Sequence, residues 1–128
     1  MLNAPKTRLV SLPIDFTYPG EDCTLFGWGK ESYGSNSFSK RLRYVHLKVM
    51  SLADCQSRWS DQRVTIDNLC TGDIAGHGAC IGDEGAPLVK NGMQIGMFSF
   101  GGMCIDGRPD VYVNVFNYIT FINAVAID

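Results

Sequence analysis

Turn signals come at short intervals along this chain, and they limit what it can fold into. Pro19-Gly20, Gly34-Ser35-Asn36, Gly72-Asp73, Gly76-His77-Gly78, Gly82-Asp83, Asn91-Gly92, Gly101-Gly102 and Gly107-Arg108-Pro109 punctuate it. Between them lie short runs rich in β-branched and aromatic residues. Six read as strands, at about 22–28, 42–49, 64–70, 86–90, 94–100 and 111–115. In the second run Arg43, Val45, Leu47 and Val49 share one face, and Leu42, Tyr44, His46, Lys48 and Met50 the other. Asn91-Gly92 between two runs is a hairpin signal, because both turn positions need positive φ. Many short strands with Gly-rich turns predict an antiparallel barrel or sandwich.

Two stretches carry helical signals. Ser51-Leu52-Ala53-Asp54 reads as a capping box, which starts a short helix running to about Trp59. From Val115 to Ile127, Val115, Tyr118, Ile119, Ile122 and Val125 fall on one helical face and predict packing against the barrel. Pro5 and Pro13 mark extended backbone in a lead-in segment. No linker divides the chain. The expected layout is a connector over 1–12, a β-barrel over 13–114 and a C-terminal helix over 115–128.

At 128 residues and 45% hydrophobic, the chain suits one domain, or a large piece of one, with a real core. Intrinsic disorder is excluded as its main state. A net charge of −2 provides no basic field for a phosphate backbone, so no nucleic-acid partner is expected. No apolar run approaches the roughly 18–20 residues of a membrane span, so no membrane partner is expected. The opening residues lack the apolar core and cleavage site of a signal peptide.

The five cysteines, Cys23, Cys55, Cys70, Cys80 and Cys104, form no C-x-x-C pair, and neither histidine stands at ligand spacing from them. No metal site is expected. Disulfides in an oxidising compartment are the better reading. The odd count leaves one thiol to stay reduced or to pair with another chain.

The most informative stretch is G-H-G-A-C-I-G-D-E-G-A-P-L-V, from Gly76 to Val89. Here the chain resembles the C-terminal half of a trypsin/chymotrypsin-type serine protease, closest to the insect chymotrypsin-like type. Four further segments carry the likeness in the family's order: C-T-L-F-G-W-G from Cys23, N-L-C-T-G from Asn68, G-M-F-S-F-G from Gly96, and C-I-D-G-R-P-D-V-Y-V-N-V from Cys104. The resemblance implies an all-β fold: a six-stranded antiparallel Greek-key barrel, the second barrel of a chymotrypsin-like fold, with a C-terminal helix.

Two departures bear on chemistry. The family's nucleophile loop reads Gly-Asp-Ser-Gly-Gly-Pro, whereas this chain has Gly82-Asp83-Glu84-Gly85-Ala86-Pro87. In the family a serine Oγ attacks the carbonyl and a histidine takes its proton. A carboxylate at Glu84 is a poor nucleophile toward an amide, and its charge opposes a developing oxyanion. The family's catalytic histidine and its orienting aspartate belong to an N-terminal barrel that this chain does not contain. His46 shares a strand face with Lys48 and reads as a solvated rim residue; His77 reads as a turn residue beside the pocket.

The resemblance carries over a binding half. Gly82 and Glu84 match the oxyanion-hole positions. Ser99, Phe100 and Gly101 match the strand that pairs with an extended peptide. Gly78 and Asp110 match the base of the specificity pocket, where Gly78 replaces a trypsin-like acid and Asp110 supplies one from the opposite wall. This gives an apolar or mixed preference. Turn geometry explains the glycines equally well. Asp83 matches the aspartate that pairs with a new N-terminus after activation cleavage. Without that partner it is expected to turn toward solvent, beside a disordered, zymogen-like loop. The family pattern also implies disulfides Cys55–Cys70 and Cys80–Cys104. Cys23 is left over, because Lys90 stands where its partner often lies.

These readings imply a catalytically inactive serine-protease homologue, present as its C-terminal half, that binds protein or peptide in an extracellular fluid without a cofactor. The alternative is part of a working serine-type endopeptidase whose N-terminal barrel lies elsewhere. A truncated product with no settled function is a third reading, prompted by Met1 directly before a mid-domain segment. Removing one barrel bares the face of the other, so a separate N-terminal barrel or self-association is the expected partner. Leu9, Val10, Leu12, Ile14, Phe26 and Trp28 would line that face.

Overall fold

The computed structural model describes residues 9–72 and 77–126. The expectations that fall on 1–8, on 73–76 (with the Gly76 turn) and on 127–128 lie outside the described residues.

The six strands form one antiparallel sheet. They are β1 (Asp22–Gly27), β2 (Arg43–Lys48), β3 (Asn68–Thr71), β4 (Pro87–Lys90), β5 (Met93–Gly102) and β6 (Arg108–Asn114), in spatial order β2-β1-β4-β5-β6-β3. The sheet edges meet where Val49 bridges Thr71 and the Met50 N–H donates to the Cys70 carbonyl at 2.9 Å. β4 lies beside β1 and β3 closes on the end of β2, so the first four strands make a Greek key, with β5 and β6 appended. The expected fold is the one observed.

Alternation decides which side chains fill the barrel. Cys23 and Leu25 of β1 face inward with Leu47 of β2, and Val49 follows just beyond the strand; they meet Leu88, Ile95, Phe98 and Tyr112. The Tyr112 hydroxyl shares a 2.8 Å hydrogen bond with Thr71, so this buried polar atom is satisfied. Asn91, at φ 50°, and Gly92, at 75°, make the tight turn between β4 and β5.

A second cluster holds the short helix α1 (Leu52–Arg58) to the barrel. Ser51 Oγ accepts from the Asp54 N–H at 3.2 Å, the N-cap contact the sequence predicts. Cys55, Trp59, Val64, Cys70 and Val111 pack together, and Cys55 is bonded to Cys70. Cys80 is bonded to Cys104. Cys23 keeps its thiol, which donates to the Leu47 carbonyl at 3.5 Å from a position only 4% exposed. That burial removes it as a bridge to another chain.

Two element boundaries differ from expectation. The strand expected from 64 begins at Asn68, because the Asn68 side chain accepts from the Thr65 N–H and its own N–H donates to the Thr65 carbonyl, both at 2.9 Å. That turn captures a β-branched run that reads as strand. At the C-terminus, Val115–Tyr118 is a 3₁₀ turn and only Ile119–Val125, here α2, is α-helical. Val115 is buried and Ile119 and Ile122 half-buried, but Tyr118 and Val125 are exposed, so the expected apolar face packs only in part. Hydrogen bonds from Asn117 to the Ile66 carbonyl and to Asp67 fix the 3₁₀ turn that leads into α2.

The Cys55–Cys70 bond closes a 15-residue separation. Replacing both cysteines by alanine is expected to lower unfolding free energy by about 3 kcal/mol in the chain-entropy account, read as a reduced urea midpoint with a somewhat steeper slope, because the unfolded chain is then less compact.

Candidate functional site

The site is built on the β3–β4 connection, whose described part begins at His77. The Cys80–Cys104 bond ties it to the turn after β5. Two local hydrogen bonds, Asp83 N–H to the Cys80 carbonyl at 3.0 Å and Ala86 N–H to the Asp83 carbonyl at 2.8 Å, curl it into consecutive turns. Gly82 and Gly85 take φ of 98° and 85°, where a side chain would be strained. The Gly85 N–H then donates to the Phe98 carbonyl and the Phe98 N–H to the Ala86 carbonyl, at 2.8 and 2.9 Å, which fastens the loop's exit to β5.

Asp83 corrects an expectation. Its carboxylate does not turn to solvent: the residue is 9% exposed and points into the molecule. Oδ1 accepts from the Gly29 N–H at 2.8 Å and Oδ2 from the Cys80 N–H at 3.0 Å. These backbone donors take the role the sequence reading left to a missing ammonium group. Gly27 and Gly29 make room, since a Cβ on either would overlap the carboxylate. A cleft of about 340 Å³ opens beside it, lined by Gly29, Lys30, Arg43, Tyr44, His77 and Gly78 among others.

Glu84 lies on the opposite, exposed side of the loop. Its Oε2 accepts from the Gly82 N–H at 3.1 Å, so the two expected oxyanion-hole positions face each other as acceptor and donor. The Phe38 ring, from the β1–β2 connection, lies against Gly82; a Cβ there would sit 2.6 Å from Phe38 Cε1. Lys30 Nζ lies 5.8 Å from the centroid of the same ring. Nothing in the sequence marks Phe38, which belongs to no motif and contacts the loop only through the fold.

Ser99, Phe100 and Gly101 run past the end of β4. β4 pairs with β5 only as far as Met97, while β6 stays paired with β5 at Phe100 and Gly102. Ser99 is exposed, and among the described residues no strand pairs with this outer edge beyond Phe98. Phe100 is held edge-on to Trp59, ring centroids 5.0 Å apart. Trp59 donates its indole N–H to the Pro109 carbonyl at 2.9 Å and carries Arg108 over its ring at 3.9 Å. Arg108 is itself paired with Asp61 and Asp106. This support for the strand from outside was also not legible in the sequence.

Asp110 is fully buried between Gly78 and Gly101, where a Cβ on either glycine would overlap its carboxylate. The structure thus brings the expected pocket residues Gly78, Gly101 and Asp110 together. Asp110 Oδ2 accepts from the Ala79 N–H at 2.7 Å and Oδ1 from the Met103 N–H at 3.4 Å. Burial pushes its pKa up to about 7, against the lowering by these two N–H groups and with a further push from Asp83. His46 stands on the outer face of β2, 3.0 Å from Thr24 Oγ1, and His77 is an exposed loop residue. Among the described residues no group of three His, Cys, Asp or Glu side chains is gathered as for a metal ion, and no helix is long and apolar enough to cross a membrane.

Comparison with known proteins gives one consistent picture. Residues 3–122 match the family described as Trypsin. The chain is 35% identical to chymotrypsin-2 of Vespa crabro, covering 88% of this chain and 51% of that protein. It is 35% identical to human kallikrein-12 (89% and 47%) and 34% identical to Sus scrofa trypsin (91% and 51%). Similar identity to hornet and mammalian proteins gives the expected insect-type flavour no special standing. Among solved structures, mouse neuropsin, described as a serine protease expressed in the limbic system of mouse brain, superposes with a TM-score of 0.85 at 29% identity, over 93% of this chain and 54% of that one. The chain spans about half the length of these relatives.

Asp110 predicts a stability slope. Its pKa is higher folded than unfolded, so the native state favours the protonated form, and stability falls as pH rises from about 4 to about 7. One such proton contributes at most about 1.4 kcal/mol per pH unit. The Asp110→Asn variant is expected to flatten that fall by up to this amount, read from urea midpoints at pH 5 and pH 8. An equal slope in both proteins would refute the assignment.

Proposed function

The chain belongs to the trypsin family, and from that premise we propose that it is a catalytically inactive serine-protease homologue whose cleft acts by binding protein or peptide. One observation carries this reading: an exposed carboxylate, Glu84, stands on the loop where catalysis by this family needs a nucleophilic alcohol, and it accepts from Gly82 N–H. That position matters because a carboxylate brings negative charge to the donor that should receive the oxyanion. Neither His46 nor His77 occupies the position of the family's catalytic histidine.

What supports binding is the outer edge of Ser99–Gly101, which no strand among the described residues covers. Asp83 keeps the role of ordering the loop, through Gly29 and Cys80 rather than through a cleaved N-terminus. Two disulfides in so short a chain suit an extracellular fluid.

The partner reading follows from exposed apolar side chains. Leu9 and Ile14 are 97% and 85% exposed, and Val10, Leu12, Phe16, Trp28 and Phe121 are exposed as well, whereas Phe26 is half-buried. Exposed apolar side chains in this number suit a covering partner, a separate barrel of the same family or a second copy.

The purified chain is expected to show no labelling by a serine-directed phosphonate and no turnover of chymotrypsin-type peptide substrates. Glu84→Ser alone is expected not to restore either, because the base remains absent. Labelling of the unaltered chain, or turnover above a heat-killed control, would refute inactivity.

Light scattering over a concentration series is expected to show rising mass that reductant does not reverse, since Cys23 is buried. The double variant Leu9→Glu, Ile14→Glu is expected to shift the mass toward monomer. A clean monomer at every concentration, with no binding of an apolar dye, would overturn the bare-face picture.

A further inference from the structure

The β1–β2 connection, residues 28–42, and the strand that follows it concentrate positive charge on a chain whose net charge is −2. Five of the 11 Lys and Arg, namely Lys30, Lys40, Arg41, Arg43 and Lys48, lie between residues 30 and 48, and no Asp or Glu stands between Glu31 and Asp54. Arg43 is paired with Glu31 and Lys48 with Asp22. Lys30 lies over the Phe38 ring, a contact that leaves its charge in place. Lys40 and Arg41 are exposed and meet no acid among the described residues.

These cations share a cleft. A volume of about 650 Å³ is lined by Glu31 from the outgoing arm of the connection and by Lys40, Arg41, Arg43 and Tyr44 from the returning arm and the start of β2. It adjoins the cleft beside Asp83, which Lys30 lines and with which it shares Glu31, Arg43 and Tyr44. Ser39 fixes the returning arm. Its N–H donates to the Trp28 carbonyl at 3.0 Å, its hydroxyl donates to the Arg41 carbonyl at 2.6 Å, and the same oxygen accepts from the Arg41 N–H at 3.3 Å. With these backbone groups used inside the connection, the closed turn offers a ligand side-chain cations rather than a peptide ladder.

We propose that this cleft docks a sulfated polysaccharide, at a site separate from the peptide edge, since none of its lining residues belongs to Ser99–Gly101. Sulfate esters stay charged throughout the physiological pH range, and their oxygens accept from Lys and from the planar Arg fork. A charged chain that meets several cations gains by releasing its counterions. The exposed Tyr44 ring beside Arg43 gives a sugar ring an apolar face. A cleft admits a single chain, which a bilayer surface is not, and an acidic peptide would draw its affinity from backbone pairing that the turn does not supply. An extracellular fluid, which the two disulfides suit, is where sulfated chains occur. Glu31 is the one acid in the lining; it holds Arg43 in place and sets a limit on how tightly a polyanion binds.

The test adds heparin oligosaccharides of one length to the whole chain and measures affinity by calorimetry. Affinity is expected to fall about tenfold when salt rises from about 50 to about 150 mM, as counterion release requires. The double variant Lys40→Gln, Arg41→Gln is expected to lose about tenfold or more at the lower salt. Arg63→Glu makes the same change in net charge at an exposed position outside the cleft, and is expected to stay within about twofold of the unaltered chain. Glu31→Gln is expected to bind more tightly. An equal loss in Arg63→Glu would mean attraction to net charge alone and would overturn the site. Tighter binding of poly-glutamate, or of phosphatidylserine vesicles, than of the oligosaccharide would put an acidic protein segment or a lipid surface in its place and overturn the proposal. No heparin binding at low salt would overturn it outright and leave the peptide edge untouched. An unchanged urea midpoint establishes that each variant is folded.

Discussion

The site depends on a buried carboxylate held by backbone. Asp83 receives one N–H from Gly29, two residues past the end of β1, and another from Cys80, within its own loop. The first partner lies 54 residues away in sequence, so the bond joins two parts of the barrel that share no ladder at that point. A buried carboxylate without donors would be costly, and two N–H groups offset much of that cost. Gly27 and Gly29 then become requirements of packing, because a side chain on either would displace the carboxylate. With Asp83 drawn inward, the loop must turn its neighbours outward, and Gly82 and Glu84 are left facing the surface.

A second buried carboxylate lies on the other side of the same loop. Asp110 fills the space that Gly78 and Gly101 leave open, and Ala79 and Met103 supply its donors. The two acids differ in their surroundings. Asp83 is held by two bonds of ordinary length, whereas Asp110 has one short and one long bond and is more completely buried. Its raised pKa follows from that burial, and Asp83 adds to it. The group that fills the space between the two glycines thus changes charge near neutral pH.

Around this centre the structure separates support from contact. Trp59, fixed by the Pro109 carbonyl and covered by Arg108, holds Phe100 and with it the free edge of β5. The two disulfides act on the same elements, one through α1 and β3 and the other through the site loop. Among the described residues, side-chain hydrogen bonds through Asn117 hold the 3₁₀ turn before the C-terminal helix. Its exposed Phe121 and the exposed lead-in residues Leu9 and Ile14 are the part of the chain least served by this barrel.

Much of this was present in the sequence. Alternation from Arg43 to Val49 specified a strand with two distinct faces, because side chains on a strand alternate whatever the rest of the fold does. Asn91-Gly92 specified a hairpin, and Ser51 a helix start, through local backbone preferences. The ordered motifs specified the barrel, both cysteine pairs and the carboxylate at position 84. Other features needed the tertiary structure. Asp83 turns inward because donors converge on it from Gly29 and Cys80, and a sequence does not state which distant N–H groups a carboxylate will meet. Strand β3 starts late because one side chain, Asn68, closes a turn over a run with strand composition. Phe38 reaches Gly82 because the barrel brings two loops to the same end. Local pattern fixed the strands and the chemistry they carry; only the closing of the sheet decided which of those groups face one another.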